Sequence, residues 1–188
     1  MKNNFRLLPA QAICSLGLLL STQCIPPTPA MAGTSGFDFR WDTDKDFRKL
    51  YYYISSSKAS DNSTYYLVLS PKDRNTSILK LAVSVPKEFD SVFDPKKIKL
   101  CFMSKGSVMT KTQCQQIIPS TVEISKDNGS LEVFPNQPVP VGRTIGIQIE
   151  VTNPYSPGMY QFNALAQAPG DVPISGYLGS WVIDIGPN

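Results

Sequence analysis

The chain has 188 residues and a net charge of +3, room for one domain or two very small ones, and its 41% hydrophobic content excludes wholesale disorder. Sixteen prolines and twelve glycines argue against a helical bundle and for many turns. Histidine is absent, which removes the usual general base near neutral pH, the Ser-His-Asp and Cys-His arrangements and the commonest metal ligand, and the interspersed charges carry no nucleic-acid footprint.

Lys2 and Arg6 are the only charges before Asp38. The apolar stretch after them, densest over residues 13–20, is shorter than the about 20 residues a membrane helix needs. A basic start, a short apolar core and then small residues describe a secretory signal peptide over residues 1–32. Ala30-Met31-Ala32 fits the small-x-small cleavage pattern, so the mature chain is expected to start at Gly33 after cleavage behind Ala32. The rival is a lipid anchor on Cys24, but Gln23 stands where lipoprotein processing wants a small residue. A core helix is the remaining alternative, less favoured because Pro26, Pro27 and Pro29 follow and would end it. Cleavage leaves 156 of the 188 residues and, with Lys2 and Arg6 gone, lowers the net charge from +3 to +1. That length buries roughly two-thirds of its unfolded surface, enough for one core. No second apolar stretch follows, so a mature protein without a membrane span is expected in the periplasm, at the cell surface or outside.

Residues 33–63 read as an extended arm and a first strand, and residues 64–188 as the folded core. Within the arm, Asp42-Thr43-Asp44-Lys45-Asp46 begins like a calcium loop, but Phe47 and Tyr53 stand where that loop needs glycine and a bidentate acid. Alternation of period two then recurs. Leu50, Tyr52 and Ile54 open it, and residues 65–69 are a short apolar run closed by Pro71. Leu79, Leu81, Val83 and Val85 follow, and residues 88–92 could form one helical turn. Ile98, Leu100 and Phe102 share a face, with Lys99 and Cys101 on the other. Val122 and Ile124 lead through Asn128-Gly129, read as a tight hairpin turn, to Leu131 and Val133. Ile145, Ile147, Ile149 and Val151, then Tyr160 and Phe162, then Trp181, Ile183 and Ile185 complete the series. Eight or nine short strands with frequent turns imply an all-β fold, a two-sheet antiparallel β-sandwich with Greek-key-like connections; a small closed barrel is the alternative.

Cys14 and Cys24 leave with the leader, and Cys101 and Cys114 remain. In an oxidising compartment two cysteines are read as a disulfide. Here it would close a loop of 14 residues, worth about 3 kcal/mol in the chain-entropy model. A zinc site would need ligands this chain lacks. The parity of Cys101 puts the bridge on the outer face of a sheet or at its rim, pinning a connection that carries Lys105 and Lys111.

The C-terminal third reads Asn153-Pro154-Tyr155-Ser156-Pro157-Gly158-Met159-Tyr160-Gln161-Phe162 and continues through Ala168-Pro169-Gly170-Asp171 to Tyr177-Leu178-Gly179-Ser180-Trp181. With the runs around residues 65–69, 79–86 and 134–151, it resembles a family of secreted cyanobacterial proteins known as a domain of unknown function. The resemblance covers residues 64–185 and implies an exported, mainly β domain; it supplies no catalytic residues to carry over. By their own chemistry, Asn153-Pro154 turns the chain out of one strand. Pro157-Gly158 makes a second turn in which glycine can take positive φ, and Gly176 and Gly179 bracket the start of the last strand.

Tests for chemistry find little. The acids Asp38, Glu123, Glu132, Glu150, Asp171 and Asp184 are scattered, although a hydrolase would need two of them together. Ser104-Lys105 and Ser125-Lys126 are adjacent on strands and so face opposite ways. Lys96, Lys97, Lys99, Lys105 and Lys111 form the densest basic patch, a surface for anionic glycans or lipid headgroups, or simply a solvated edge. Eight tyrosines with Gln148, Gln161, Asn163 and Gln167 suit sugar hydroxyls, or simply an outer strand face. The expectation is therefore an exported, non-catalytic protein without cofactor or metal. It is a protein-binding or structural component of the cell envelope, with an envelope protein or glycan as partner; a carbohydrate-binding module is the alternative and a carboxylate-based hydrolase the remoter one.

Overall fold

The computed structural model describes residues 47–107, 109–170 and 174–188. The expected leader, its Ala32–Gly33 cleavage site, Cys24, the calcium-like run and most of the arm lie outside the described residues.

In chain order the strands are β1 (Tyr52–Ile54), β2 (Asn62–Leu69), β3 (Lys80–Ser84), β4 (Ile98–Ser104), β5 (Gln113–Ile117), β6 (Ser120–Ile124), β7 (Ser130–Pro135), β8 (Ile145–Thr152), β9 (Gly158–Gln167) and β10 (Ser175–Ile185). Two short 3-10 turns, Pro71–Asp73 and Pro95–Lys97, complete the secondary structure of the described residues. One sheet runs β1-β2-β8-β4-β5 and the other β10-β9-β3-β7-β6. All strand pairs are antiparallel. The chain changes sheet after β2, β3, β5, β7 and β8, which makes non-consecutive strands neighbours in the Greek-key manner. This is the sandwich that the alternation implied. No helix among the described residues is long and apolar enough to cross a membrane.

The period-two residues fill the space between the sheets. Tyr65, Leu67, Ile147, Ile149, Leu81 and Phe162 are wholly buried, each large apolar side chain contributing about 1.5–3 kcal/mol. Trp181 is also fully buried, and its indole Nε1–H donates to the Val68 carbonyl at 3.2 Å. That bond crosses from one sheet to the other and satisfies a polar group in the core. Residues 88–92 do not form the expected helical turn. Phe89, Ser91 and Phe93 are buried and Asp90 and Val92 exposed, the pattern of extended chain. Aromatics at positions 89 and 93 suit either period. Period two wins because Phe89 can then stack on Phe93 at 5.6 Å and meet Tyr65, Tyr160 and Phe162 edge-on.

One side of the sandwich is sewn shut. Residues 48–50 run parallel to β10: Leu50 N–H donates to Ser180 O at 2.8 Å, and Ser180 N–H to Arg48 O at 2.7 Å. Directly afterwards β1 joins β2 in the other sheet, so this segment ties the two edges together. Gly176 and Gly179 do not precede the last strand; they lie inside β10, with a bulge between Tyr177 and Gly179. Gly179 has φ 147°, and a Cβ there would sit 2.6 Å from Arg48 O and 2.8 Å from Leu50 Cγ. Two turns also differ from expectation. The β6–β7 hairpin is wider than a two-residue turn: Ser125 N–H donates to Ser130 O at 3.0 Å, and Asn128, not Gly129, takes the left-handed position at φ 54°. Gly158 begins β9 without positive φ.

Candidate functional site

The outer face of the β1-β2-β8-β4-β5 sheet follows from register. Tyr65 and Ile149 point into the core, so Tyr66 and Gln148 point out. Tyr53 lies opposite Tyr66, Tyr66 opposite Gln148, and Gln148 opposite Lys99, which makes one row across four strands. The Tyr53 and Tyr66 ring centroids are 6.0 Å apart. In the next row Tyr51 adjoins Val68, Val68 faces Gly146, and Gly146 faces Cys101. Val68 and Cys101 are wholly buried although they point away from the core.

Met103, itself buried, lies over Gly146 in this row, and beside it a flap, residues 105–107 and 109–112, folds back against Tyr51. Tyr51 OH and Thr112 Oγ1 share a hydrogen bond of 2.9 Å, and Lys105 Nζ lies 4.3 Å from the Tyr51 ring centroid. Gly106 N–H donates to Thr112 Oγ1 at 3.0 Å, and a Cβ on Gly106 would press on Thr110 O and Thr112 N at 2.9 Å. The Cys101–Cys114 disulfide, with Cα atoms 5.5 Å apart, fastens the strand that follows the flap to β4. The bridge is thus on the outer face, as parity requires, with Cys101 buried and Cys114 half-exposed.

Between the flap and the sheet opens a cleft of about 500 Å³ lined by Tyr51, Tyr53, Ser107, Thr110, Lys111 and Thr112. Its floor is aromatic and its wall carries hydroxyls, with Ser107 Oγ and Thr110 Oγ1 2.9 Å apart. Burial pushes the Tyr66 phenol above its ordinary pKa, and Tyr53 and Glu150 add to the rise. That ring therefore stays neutral at physiological pH and offers a π face and a hydroxyl.

The five lysines do not form one patch. Lys96 and Lys97 are exposed in the 3-10 turn ahead of β4. Lys99 stands in the tyrosine row, and Lys105 and Lys111 belong to the flap. β4 separates the two ends by about 20 Å at ordinary strand rise. Gln161 and Asn163 lie on the other sheet, where they satisfy one another: Asn163 Oδ1 accepts from Ser180 Oγ at 2.7 Å and from Gln161 Nε2 at 2.9 Å. Of the four amides singled out from sequence, Gln148 is the one in the tyrosine row. Among the acids, Glu123 lies opposite Glu132 on an open sheet face, and Glu132 is held by Lys80 at 3.1 Å. Asp38 and Asp171 lie outside the described residues. Among the described residues no group of three or more acids or cysteines is placed to hold a metal ion.

Two buried polar residues escaped sequence reasoning. Asn153 accepts from Tyr65 OH at 2.7 Å and donates to Ser56 O and Lys58 O at 3.0 and 2.7 Å, so it fastens the β1–β2 loop to the core. Arg74 donates to the carbonyls of Val139, Pro140 and Arg143 and has no carboxylate within salt-bridge distance among the described residues. Burial lowers its pKa. The Asn-Pro pair signalled the first as a turn, whereas nothing in the sequence pattern signalled the second.

Fold and surface together define an antiparallel β-sandwich domain with a tyrosine–lysine face under a disulfide-held flap. The chain belongs to the family described as Protein of unknown function (DUF2808), whose model matches residues 39–185. The match begins upstream of the region of resemblance seen in the sequence and takes in the segment that sews the sheets together. No curated protein matches the chain. Among solved structures it is similar to BslA, a bacterial hydrophobin, at 15% identity and TM-score 0.48, over 74% of this chain and 98% of that one. It is also similar to the collagen-binding domain of a Staphylococcus aureus adhesin, at 9% identity and TM-score 0.41, over 72% and 95% of the two chains. At these identities neither says what this chain does.

Proposed function

We propose that this is an exported, non-catalytic binding domain that engages a partner of the cell envelope through its tyrosine–lysine face. One observation carries the reading: Tyr51 and Tyr53 floor an open cleft whose opposite wall bears hydroxyls and Lys111. Aromatic surface with a few placed polar groups is the usual make-up of a recognition site. The Cys101–Cys114 bridge suits an oxidising compartment, and the leader-like first 32 residues suit export. A non-catalytic role fits a chain without histidine whose acids are spread over separate strands.

A photo-crosslinking residue at position 53 tests this in intact cells. Adducts are expected from position 53 and not from position 123, on the opposite sheet. Adducts from 123 alone would sink the reading. A second reading has its own observation. β5 is an exposed edge strand without a charged residue, and it shows Ile117 to solvent. Such an edge suits strand addition by a protein partner. Under that reading Lys substitutions on β5 abolish capture and Tyr53→Ala leaves it unchanged.

A further inference from the structure

We infer that the ligand of this face is an anionic polysaccharide, a chain of sugar rings bearing carboxylate or sulfate groups; this rests on the proposal that the face is the contact surface. Three features converge on that chemistry. First, the Tyr53 and Tyr66 rings, with centroids 6.0 Å apart, are spaced about one sugar unit from each other. The faces of such rings match the C–H faces of pyranoses. Second, Gln148 beside Tyr66 and the hydroxyls of Ser107 and Thr110 on the cleft wall supply both donors and acceptors for sugar hydroxyls. Third, Lys99 stands in the tyrosine row, Lys105 over Tyr51, and Lys111 on the cleft. None of these three is held in a salt bridge among the described residues. Glu150 is the acid of β8 on this face.

The other sheet carries the opposite sign. Its outer residues Glu123, Glu132 and Asp184 outnumber Lys80 and Lys49, the latter paired beside β10. A polyanion is therefore drawn to the tyrosine side and turned away from the other. A neutral glycan would use the tyrosines and leave the lysines idle. An acidic peptide such as poly-glutamate would use the lysines and bring no ring face to the tyrosines.

The test is calorimetric titration of the full oxidised chain with polygalacturonate, with a sulfated galactan, with neutral dextran and with poly-glutamate. At least one of the two anionic polysaccharides is expected to bind, and dextran and poly-glutamate at least tenfold more weakly. Raising salt from low to molar ionic strength should weaken that binding, because exposed charges are screened. Tyr53→Ala and Lys99→Gln are each expected to weaken it at least fivefold. Lys126→Gln, at the tip of the β6–β7 hairpin, should change nothing, and unchanged thermal melting of Lys99→Gln shows that the fold survives. Dextran binding that is lost in Tyr53→Ala and kept in Lys99→Gln overturns the anionic class and leaves the face standing. Preferred binding of poly-glutamate does the same, as does the absence of any polysaccharide binding where position 53 still crosslinks. Polyanion binding indifferent to both face variants overturns the face itself.

Discussion

Gly179 shows how one missing side chain sets the closure of the sandwich. Its φ of 147° belongs to glycine, and Arg48 O and Leu50 Cγ occupy the space a Cβ would need. Gly179→Ala combines backbone strain with overpacking and is expected to lower stability by more than about 2 kcal/mol in chemical denaturation; an unchanged midpoint would refute the close approach. Asp127 offers a second residue-scale test. Its carboxylate accepts from Ser125 Oγ at 2.6 Å and from Gly129 N–H at 3.1 Å, and these bonds hold its pKa below the ordinary carboxylate range. A lowered pKa stabilises the folded form above the unfolded value, and that gain fades as pH falls through the folded value. Protection of the β6–β7 hairpin amides, taken as the ratio of intrinsic to observed exchange at each pH, should therefore fall under acid, and Asp127→Asn should remove that dependence. At this scale the sequence was partly readable. Asn128-Gly129 announced a hairpin, but the side-chain hydrogen bonds of Ser125 and Asp127 selected the wider loop. Asn153 announced a turn and concealed a buried hub, because its partners Tyr65, Ser56 and Lys58 are distant along the chain.

Among the elements, the flap and β5 depend on the disulfide most directly. β5 reads Gln-Cys-Gln-Gln-Ile, with no alternation and little burial, so nothing in its own pattern marks a strand. Pairing with β4 and the covalent tie to Cys101 make it one. Replacing both cysteines by serine removes a constraint worth about 3 kcal/mol. Exchange protection is then expected to fall in β5 and residues 105–112 while β2 and β8 keep theirs, and equal loss everywhere would contradict a local role for the flap. The strands that were legible, such as β3, β7 and β8, have one face in the core and the other in water. Period two therefore shows in them directly. Alternation around Cys101 placed its side chain on the outer face correctly. It could not reveal the burial, since that comes from the bridge to Cys114 and from Met103 over Gly146 and not from the opposite layer.

For the whole molecule, an all-β sandwich was readable from the number and spacing of alternating runs. Strand order was not, because β8 lies between β2 and β4 only after the chain has crossed between layers. The candidate surface was less readable still. Lys99, Gln148, Tyr66 and Tyr53 come from four strands spread over most of the folded chain, and register alone sets them in line. The lysines form a run along the sequence, yet the fold sorts them by position, with Lys99 in the tyrosine row and Lys105 and Lys111 in the flap. The seam between residues 48–50 and β10 makes a prediction at this scale. Chains ending before residue 175 are expected to stay sensitive to protease, whereas the full chain resists; a resistant truncation would show that the seam is dispensable.

That seam also gives the molecule a direction in time. During synthesis Arg48 to Leu50 emerge well before Ser180, their partner in β10. Until β10 is free, the early edge has no mate and the two layers cannot lock. The domain is thus arranged to set only once β1 and β10 are both in place.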